Sequence, residues 1–457
     1  MEKNQEFTVS ITDITDEGLG VGKTSGAFSG GFTWFVKDAV IGDTVLAAAV
    51  KVKKNYGFAR LVKVITPSPM RVEAACAISS KCGGCQLAAL SYDAQLKFKE
   101  EKVLSCLTRI GGFSRESFTF ENIEGMEYPF RYRNKAQFPV SLSKDGRIVF
   151  GFYAGHTHSV IECGDCLIGS EKNREILSVC REFMERHGIL PYDEKTGKGV
   201  LRHVLIRESF ANGGVMVCFV INSDKLRKSE ELVSMLTARC PYVSTVSLCI
   251  NEKDTNVIMG DRVITLYGTG FITDKIGEIS FKISPKSFFQ VNPVQVKKLY
   301  GKALSYAGLT GNETVWDLYC GVGTISLFMA GHAKKVFGVE IVPEAVENAK
   351  ENAVLNGIEN AYFEAGSAEE VTPRWLSRYD KPDVVCVDPP RKGLDSVCID
   401  TILKASPSRI VYVSCDPATL ARDLKLLCEG GYTLEKAVPC DMFPQTVHVE
   451  TVALLSR

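Results

Sequence analysis

The chain carries no net charge: its 54 lysines and arginines balance 54 aspartates and glutamates. No overall field therefore draws in a polyanion, and any nucleic-acid contact must be a local patch. No apolar run approaches the roughly 20 residues of a membrane span, and Met1-Glu2-Lys3-Asn4-Gln5 opens no signal peptide. Internal repeats and low-complexity segments are absent, which sets aside solenoids and disordered linkers. Histidine is scarce at six residues; nothing near His156, His158 or His203 gives metal spacing, so they read as structural. The expectation is a soluble, cytoplasmic protein with no membrane contact and no obligatory protein partner. At 457 residues, 45% of them hydrophobic, it should form two or three domains. Cysteine is plentiful: sixteen in such a chain point to metal binding or catalysis rather than a disulfide framework.

Residues 1 to about 65 read as all-β. Phe7–Ile11, Thr33–Val36, Thr44–Val50 and Gly57–Val64 are short strand-like runs, separated by glycine-rich turns at Gly18–Gly22 and Gly30-Gly31. A compact five-stranded barrel follows, a fold suited to single-stranded nucleic acid. Lys51, Lys53, Lys54, Tyr56, Phe58 and Arg60 are either a solvated face or an RNA contact. Pro67-Ser68-Pro69 ends this module. Cys76, Cys82 and Cys85 come next, then a helix over Tyr92–Ile110 and a β-rich region from about Tyr128. From about Thr314 strands and helices alternate. The strands are expected at Thr314–Leu318, Lys335–Val339, Val384–Val387, Ile410–Val413 and Val447–Leu454. The helices are expected at Thr324–Ala330, Pro343–Asn356, Ser396–Ala405 and Ala418–Leu427. This is the pattern of a doubly wound sheet.

Chemistry should gather at the ends of those strands. Asp317-Leu318-Tyr319-Cys320-Gly321-Val322-Gly323 leads from strand to helix, where glycines admit a ligand and the helix end favours negative groups. A dinucleotide loop wants a third glycine, and Ser326 stands there instead. Glu340 ends the second strand, placed to accept hydrogen bonds from ribose hydroxyls. An adenosyl ligand without pyrophosphate, S-adenosylmethionine, fits both facts. The prolines of Asp388-Pro389-Pro390-Arg391 fix an extended turn that aims Asp388 into the same crevice. Cys415 lies between a strand and a helix in Ser414-Cys415-Asp416-Pro417, and the helix dipole should lower its pKa from about 8.5. Four cysteines, Cys76, Cys82, Cys85 and either Cys163 or Cys166, suit [4Fe–4S] or structural zinc equally. Arg131-Tyr132-Arg133-Asn134-Lys135 is a second basic–aromatic patch, a solvated strand or an RNA backbone contact.

Taken in order, Ser287-Phe288-Phe289-Gln290-Val291-Asn292-Pro293, the Gly321 loop, Asp388-Pro389-Pro390-Arg391, Ser414-Cys415-Asp416-Pro417 and His448-Val449-Glu450-Thr451 resemble a signature set. It is that of the RNA uracil-C5 methyltransferases, which include bacterial 23S rRNA and tRNA enzymes. Residues 1–65 are similar to the RNA-binding TRAM module, although Ile41 stands where that module commonly carries proline. The resemblance implies a multidomain α/β chain: a TRAM-like, OB-like barrel over 1–66, a central domain with iron–sulfur cysteines over 67–285, and a doubly wound methyltransferase domain over 286–457. It implies that Gln290, Tyr319, Glu340 and Asp388 contact S-adenosylmethionine, that Cys415 is the nucleophile and that Glu450 is the base. It favours a [4Fe–4S] cluster on Cys76, Cys82, Cys85 and Cys166, and RNA, most of all 23S rRNA, as the partner. Three other readings stand beside it, the runner-up being the same uridine-C5 methylation on tRNA. An amino-group methyltransferase would use Asp388-Pro389-Pro390 but needs no nucleophilic cysteine; a non-catalytic RNA-binding protein needs neither Cys415 nor Glu450.

Overall fold

A computed structural model describes residues 2–24, 31–155, 157–379 and 381–457. Gly30 of the expected Gly30-Gly31 turn and His156 lie outside the described residues. The chain divides into two compact units. The first is Met1–Lys99 with Phe152–Cys163 and Phe443–Val447; the second is Glu100–Gly151 with Gly164–Met442 and His448–Arg457. No helix among the described residues is long and apolar enough to cross a membrane.

The first unit is built on a closed barrel in the order Glu6–Ile14, Gly20–Thr24, Phe32–Lys37, Tyr56–Thr66, Thr44–Val52. Strand side chains alternate between faces, and Val9, Ile11, Trp34, Val36, Val45, Ala47 and Ala59 fill the interior. Trp34 is fully buried, its ring centroid 4.2 Å from that of Phe7. Gly57 faces this indole, and any Cβ there would overlap it. Gly20–Thr24 is a strand where the sequence reads as a turn, because its glycines serve close approach instead: Gly22 pairs with Ile11 and a Cβ on it would press on the Ser10 carbonyl. A smaller core of Ile14, Val40, Leu87, Leu90, Ala94 and Val447 brings Phe443–Val447 into this unit. Gln95 fixes that segment, its Nε2 donating to Gln445 Oε1 at 3.2 Å and its Oε1 accepting the Gln445 N–H at 2.9 Å. The last strand consequently starts at Glu450 rather than Val447.

The second unit contains an antiparallel two-stranded sheet, Ile272–Ile276 with Ile279–Ile283, and two larger sheets. One runs in the order Arg262–Tyr267, Val243–Ile250, Val215–Ile221, Leu201–Glu208, Lys135–Leu142, Ile148–Tyr153. It is antiparallel except where Val215–Ile221 meets Val243–Ile250. The other is the expected doubly wound sheet, in the order Ala361–Ala365, Lys335–Glu340, Thr314–Leu318, Val384–Val387, Arg409–Ser414, Glu450–Ser456, Thr433–Cys440, Thr119–Phe120. Its first five strands are parallel, and Glu450–Ser456 runs antiparallel to both of its neighbours. Thr314–Leu318 and Val384–Val387 are buried along their whole length, which is why Val384–Val387 reads as an unbroken apolar run, while Thr314–Leu318 carries a buried Asp317. Chain order reverses between those two strands, so their C-terminal ends open the crevice where such sheets take ligands. The sequence reading missed the half-exposed edge strand Ala361–Ala365, the helix Pro293–Ala307 and the helix Ala368–Arg378, whose pattern is interrupted by Pro373.

Candidate active site

At the crevice, the turn after Thr314–Leu318 places Tyr319 at φ 70°, a left-handed conformation unusual for a tyrosine, followed by Gly321 and Gly323 at 56° and 81°. The Gly321 N–H donates to Glu340 Oε2 at 3.1 Å and the Val342 N–H to Glu340 Oε1 at 2.9 Å, so the Glu340 carboxylate is aimed by backbone. Spare lone pairs remain on both oxygens. The Tyr319 hydroxyl donates to Glu369 Oε1 at 3.1 Å. Beneath the loop, Asp317 is fully buried, with Ser326 Oγ donating to its Oδ2 and, among the described residues, no hydrogen-bond partner on Oδ1. Burial and the nearby Asp388 and Glu340 push its pKa up to about 7. Ser326, at the place of the missing third glycine, thus steadies a buried acid.

Cys415 stands one residue beyond Ser414, which pairs in register with Thr451 on the antiparallel neighbour strand. Glu450 begins that neighbour, so thiol and carboxyl meet at adjoining strand ends. Glu450 is buried, and burial, with Asp388 adding to it and Arg391 opposing, raises its pKa to about 8. Asp388 is raised to about 7 by burial, and its N–H donates to the Leu318 carbonyl at 3.3 Å, tying together the two strand ends of the switch point. The expectation that the helix dipole lowers the Cys415 pKa is corrected. Burial, then Glu450 and Asp388, push the thiol up to about 11, and Arg391 counters them. The helix is Pro417–Glu429, and Asp416 caps it by accepting the Ala418 and Thr419 N–H groups at 3.0 Å each. Its own aspartate, not the thiol, takes up the positive helix end.

Gln290 is buried, its side chain bonded to the Tyr300 hydroxyl, which also lies 3.0 Å from Thr324 Oγ1. The Gln290 loop is held from the other sheet of the unit: Asn134 Nδ2 donates to the Gln290 carbonyl at 3.0 Å and Arg207 to the Ser287 carbonyl at 3.1 Å. Phe289 is buried, whereas Phe288 is 71% exposed. Sequence reasoning gave no role to Phe288 or to Arg391, although both lie in motifs it singled out; a phenylalanine reads as core until the fold shows it outside.

Residues 271–457 match the family described as tRNA (uracil-5-)-methyltransferase, and residues 1–62 match the TRAM domain. Uncharacterized RNA methyltransferases of Clostridium acetobutylicum and Bacillus cereus are 47% and 46% identical over the whole chain, covering 98% of their own length. A solved tRNA (uracil-54, C5)-methyltransferase of Pyrococcus abyssi, in complex with S-adenosyl-L-homocysteine, superposes with a TM-score of 0.78 at 29% identity; the match covers 98% of this chain and 100% of that one. The chain belongs to the RNA (uracil-5-)-methyltransferase family.

Within that family frame, two other sequence readings change or stay open. The Arg131–Lys135 patch is largely interior. Arg131 makes a bidentate ion pair with Asp165 at 2.6 and 2.7 Å and donates to the Cys166 carbonyl at 2.9 Å; Tyr132 and Asn134 are buried. Lys135 is half-buried, and burial with nearby Arg207 and Arg133 lowers its pKa to about 8. Of the cluster cysteines, Cys76, Cys82 and Cys85 lie on an irregular segment of the first unit and Cys166 in the second. Hydrogen bonds coil that segment, from the Ser79 N–H to the Cys76 carbonyl at 3.1 Å and from the Cys82 N–H to the Ile78 carbonyl at 2.8 Å. All four thiols are half-buried and outside any disulfide, donor chemistry that suits a soft metal centre. Among the described residues, however, no group of three or more His, Cys, Asp or Glu is placed to hold a metal ion. His203 is buried, its pKa lowered to about 4 by burial, in keeping with a structural role.

Proposed function

We propose that this protein methylates carbon 5 of a uridine in RNA, with S-adenosylmethionine as donor and 23S rRNA as target. The observation that carries the reading is Cys415 and Glu450 at adjoining strand ends beside Asp388, at the switch point of a doubly wound sheet. Gln290, Tyr319, Glu340 and Asp388 would hold the donor, which supplies an electrophilic methyl group. Carbon 5 of uracil is too weak a nucleophile to take that methyl unaided. Cys415 overcomes this by bonding as thiolate to carbon 6, which moves electron density to the ring oxygen and makes carbon 5 nucleophilic. Once carbon 5 carries the methyl, Glu450 removes its proton and the Cys415 thiolate is expelled, restoring the ring. A carboxyl raised to about 8 is a stronger base than an ordinary one and is matched to neutral pH. Arg391 offsets the carboxyls that oppose thiolate formation. The target base must leave any stack to reach this crevice, and the exposed ring of Phe288 offers a face on which an unpaired base could stack.

The barrel, with Lys51 to Arg60 on its surface, supplies RNA affinity rather than chemistry in this reading. A [4Fe–4S] cluster on Cys76, Cys82, Cys85 and Cys166 rests on their spacing and the family resemblance. Its part would be structural or RNA-positioning, since the transfer needs no electron. A tRNA uridine is the second reading, favoured by the solved tRNA (uracil-54, C5)-methyltransferase. Mapping 5-methyluridine in total RNA of a deletion strain decides: loss from 23S rRNA supports the proposal, loss from tRNA moves the target, and no loss anywhere overturns it.

A further inference from the structure

We propose that Asp423 is a positioning residue that locks the Asp388–Arg391 turn to the strand carrying Cys415 and thereby fixes Arg391 beside the thiol. Its catalytic meaning rests on Cys415 being the nucleophile; the coupling itself can be tested without RNA. Asp423 lies in the helix Pro417–Glu429 and is fully buried, where an unpaired carboxylate would be costly. Both its oxygens are engaged. Oδ2 accepts the Tyr412 hydroxyl at 2.7 Å and the Leu394 N–H at 2.7 Å. Oδ1 accepts Arg422 Nε at 2.8 Å, and Arg422 also donates to the Lys392 carbonyl at 2.9 Å. Tyr412 belongs to the strand Arg409–Ser414, just before Cys415. Lys392 and Leu394 belong to the chain leaving Arg391, in a turn closed by the Gly393 N–H on the Pro390 carbonyl at 2.8 Å. At Gly393, φ is +77° and a Cβ would overlap the Asp423 carboxylate, so the turn lies directly on it. The two stretches that carry the chemistry therefore share one buried anion.

The arrangement matters because Arg391 is exposed and packing does not fix it; its backbone must. Its charge acts on both Cys415 and Glu450, and such an effect falls with distance. Asp423→Asn keeps the size and an oxygen for Tyr412 and Leu394, but turns an amide NH2 towards the Arg422 guanidinium, donor against donor. The measurement is alkylation of Cys415 by iodoacetamide as a function of pH, followed at the Cys415 peptide by mass spectrometry in the full-length protein. The expected result is a midpoint raised by about one pH unit, hence about tenfold slower alkylation below it. Asp423→Asn in an Arg391→Ala background should add nothing further, because the effect runs through Arg391. An unchanged midpoint overturns the proposal, as does equal slowing with and without Arg391, the signature of a general loosening. Should Asp423→Asn not fold, Tyr412→Phe removes one bond and keeps the carboxylate. It should shift the midpoint the same way by less, again only when Arg391 is present, and no shift there overturns the proposal. Failure of the wild type to capture 5-fluorouridine RNA would count against the proposed function and leave the alkylation result standing.

Discussion

Glu450→Gln should stabilise the protein at alkaline pH while blocking its reaction. The folded state raises the Glu450 pKa from 4.5 to about 8. A raised acid contributes stability that is fully present below 4.5 and is lost as pH rises through about 8. At about 1.4 kcal/mol per pH unit, ionising the buried carboxyl costs the fold up to roughly 5 kcal/mol by pH 9. Local relaxation offsets part of that, leaving about 2–5 kcal/mol. Glutamine has the same shape and never ionises, so the variant avoids the cost. For a unit of this size, where 1 kcal/mol moves the midpoint by roughly 2 °C, the second unit should melt about 4–10 °C higher at pH 9 and within about 2 °C of wild type at pH 5. Calorimetry at the two pH values is the assay. The same variant, lacking a base, should leave methylated RNA attached through Cys415 as a denaturation-resistant band. A melting shift equal at pH 5 and pH 9, or a lower midpoint at pH 9, would refute the electrostatic account of the site.

Cys415→Ala should bind S-adenosylmethionine yet form no adduct with 5-fluorouridine RNA, which traps wild type because fluorine cannot leave as a proton does; normal turnover would remove Cys415 from the mechanism. Gly57→Val should force a side chain into the Trp34 indole and destabilise the barrel by about 1–3 kcal/mol in a chemical unfolding curve; an unaltered curve would mean that Trp34 is not packed as described. Replacing Lys51, Lys53 and Lys54 with alanine should flatten the dependence of RNA affinity on salt by about 2 in log–log slope if each meets a phosphate, and an unchanged slope would assign these lysines to a solvated face. Anaerobically purified protein should be brown with about four irons and four sulfides. Colourless protein with stoichiometric zinc would end the cluster reading, and loss of iron in Cys163→Ser but not Cys166→Ser would reassign the fourth ligand.

What the sequence revealed, and what it hid, follows from the range of each interaction. Ile410–Val413 and Val384–Val387 were legible as strands because parallel strands are covered on both faces and admit few polar residues. Asp388 and Cys415 were legible because strand ends converge at one edge of such a sheet, whereas Glu450 came only with the family resemblance, the sequence pattern placing the start of its strand at Val447. The barrel strand Gly20–Thr24 was not legible, since glycine marks a turn and a close backbone approach alike. Phe443–Val447 could not be assigned to the first unit, because Gln95, which fixes it, is remote in sequence. Arg131 read as a surface cation for the same reason: Asp165 reaches it only through the fold. The Cys415 pKa went the wrong way because the helix end is visible locally, whereas Glu450, Asp388 and the capping of that helix end by Asp416 are tertiary facts.

Those tertiary facts give the site a charge logic. Asp317 and Asp388 near 7 and Glu450 near 8 are acids poised around neutrality in one buried place, with a thiol held protonated beside them. On the proposed reaction, their ionised forms are favoured by a ligand bearing a sulfonium and an ammonium against a single carboxylate. Donor binding should therefore release protons and tighten as pH rises from about 6 to 8, by linkage. In the proposed reaction, methyl transfer would then remove the sulfonium charge. Glu450 is left facing Asp388 with less positive charge nearby, so its affinity for a proton rises just when carbon 5 must surrender one. On that reading, the same loss of charge would weaken the attraction of the buried Asp388 for the spent donor. If the proposed reaction holds, one chemical event would ready the base and loosen the product, and both effects would depend on carboxyls whose burial otherwise only destabilises the fold.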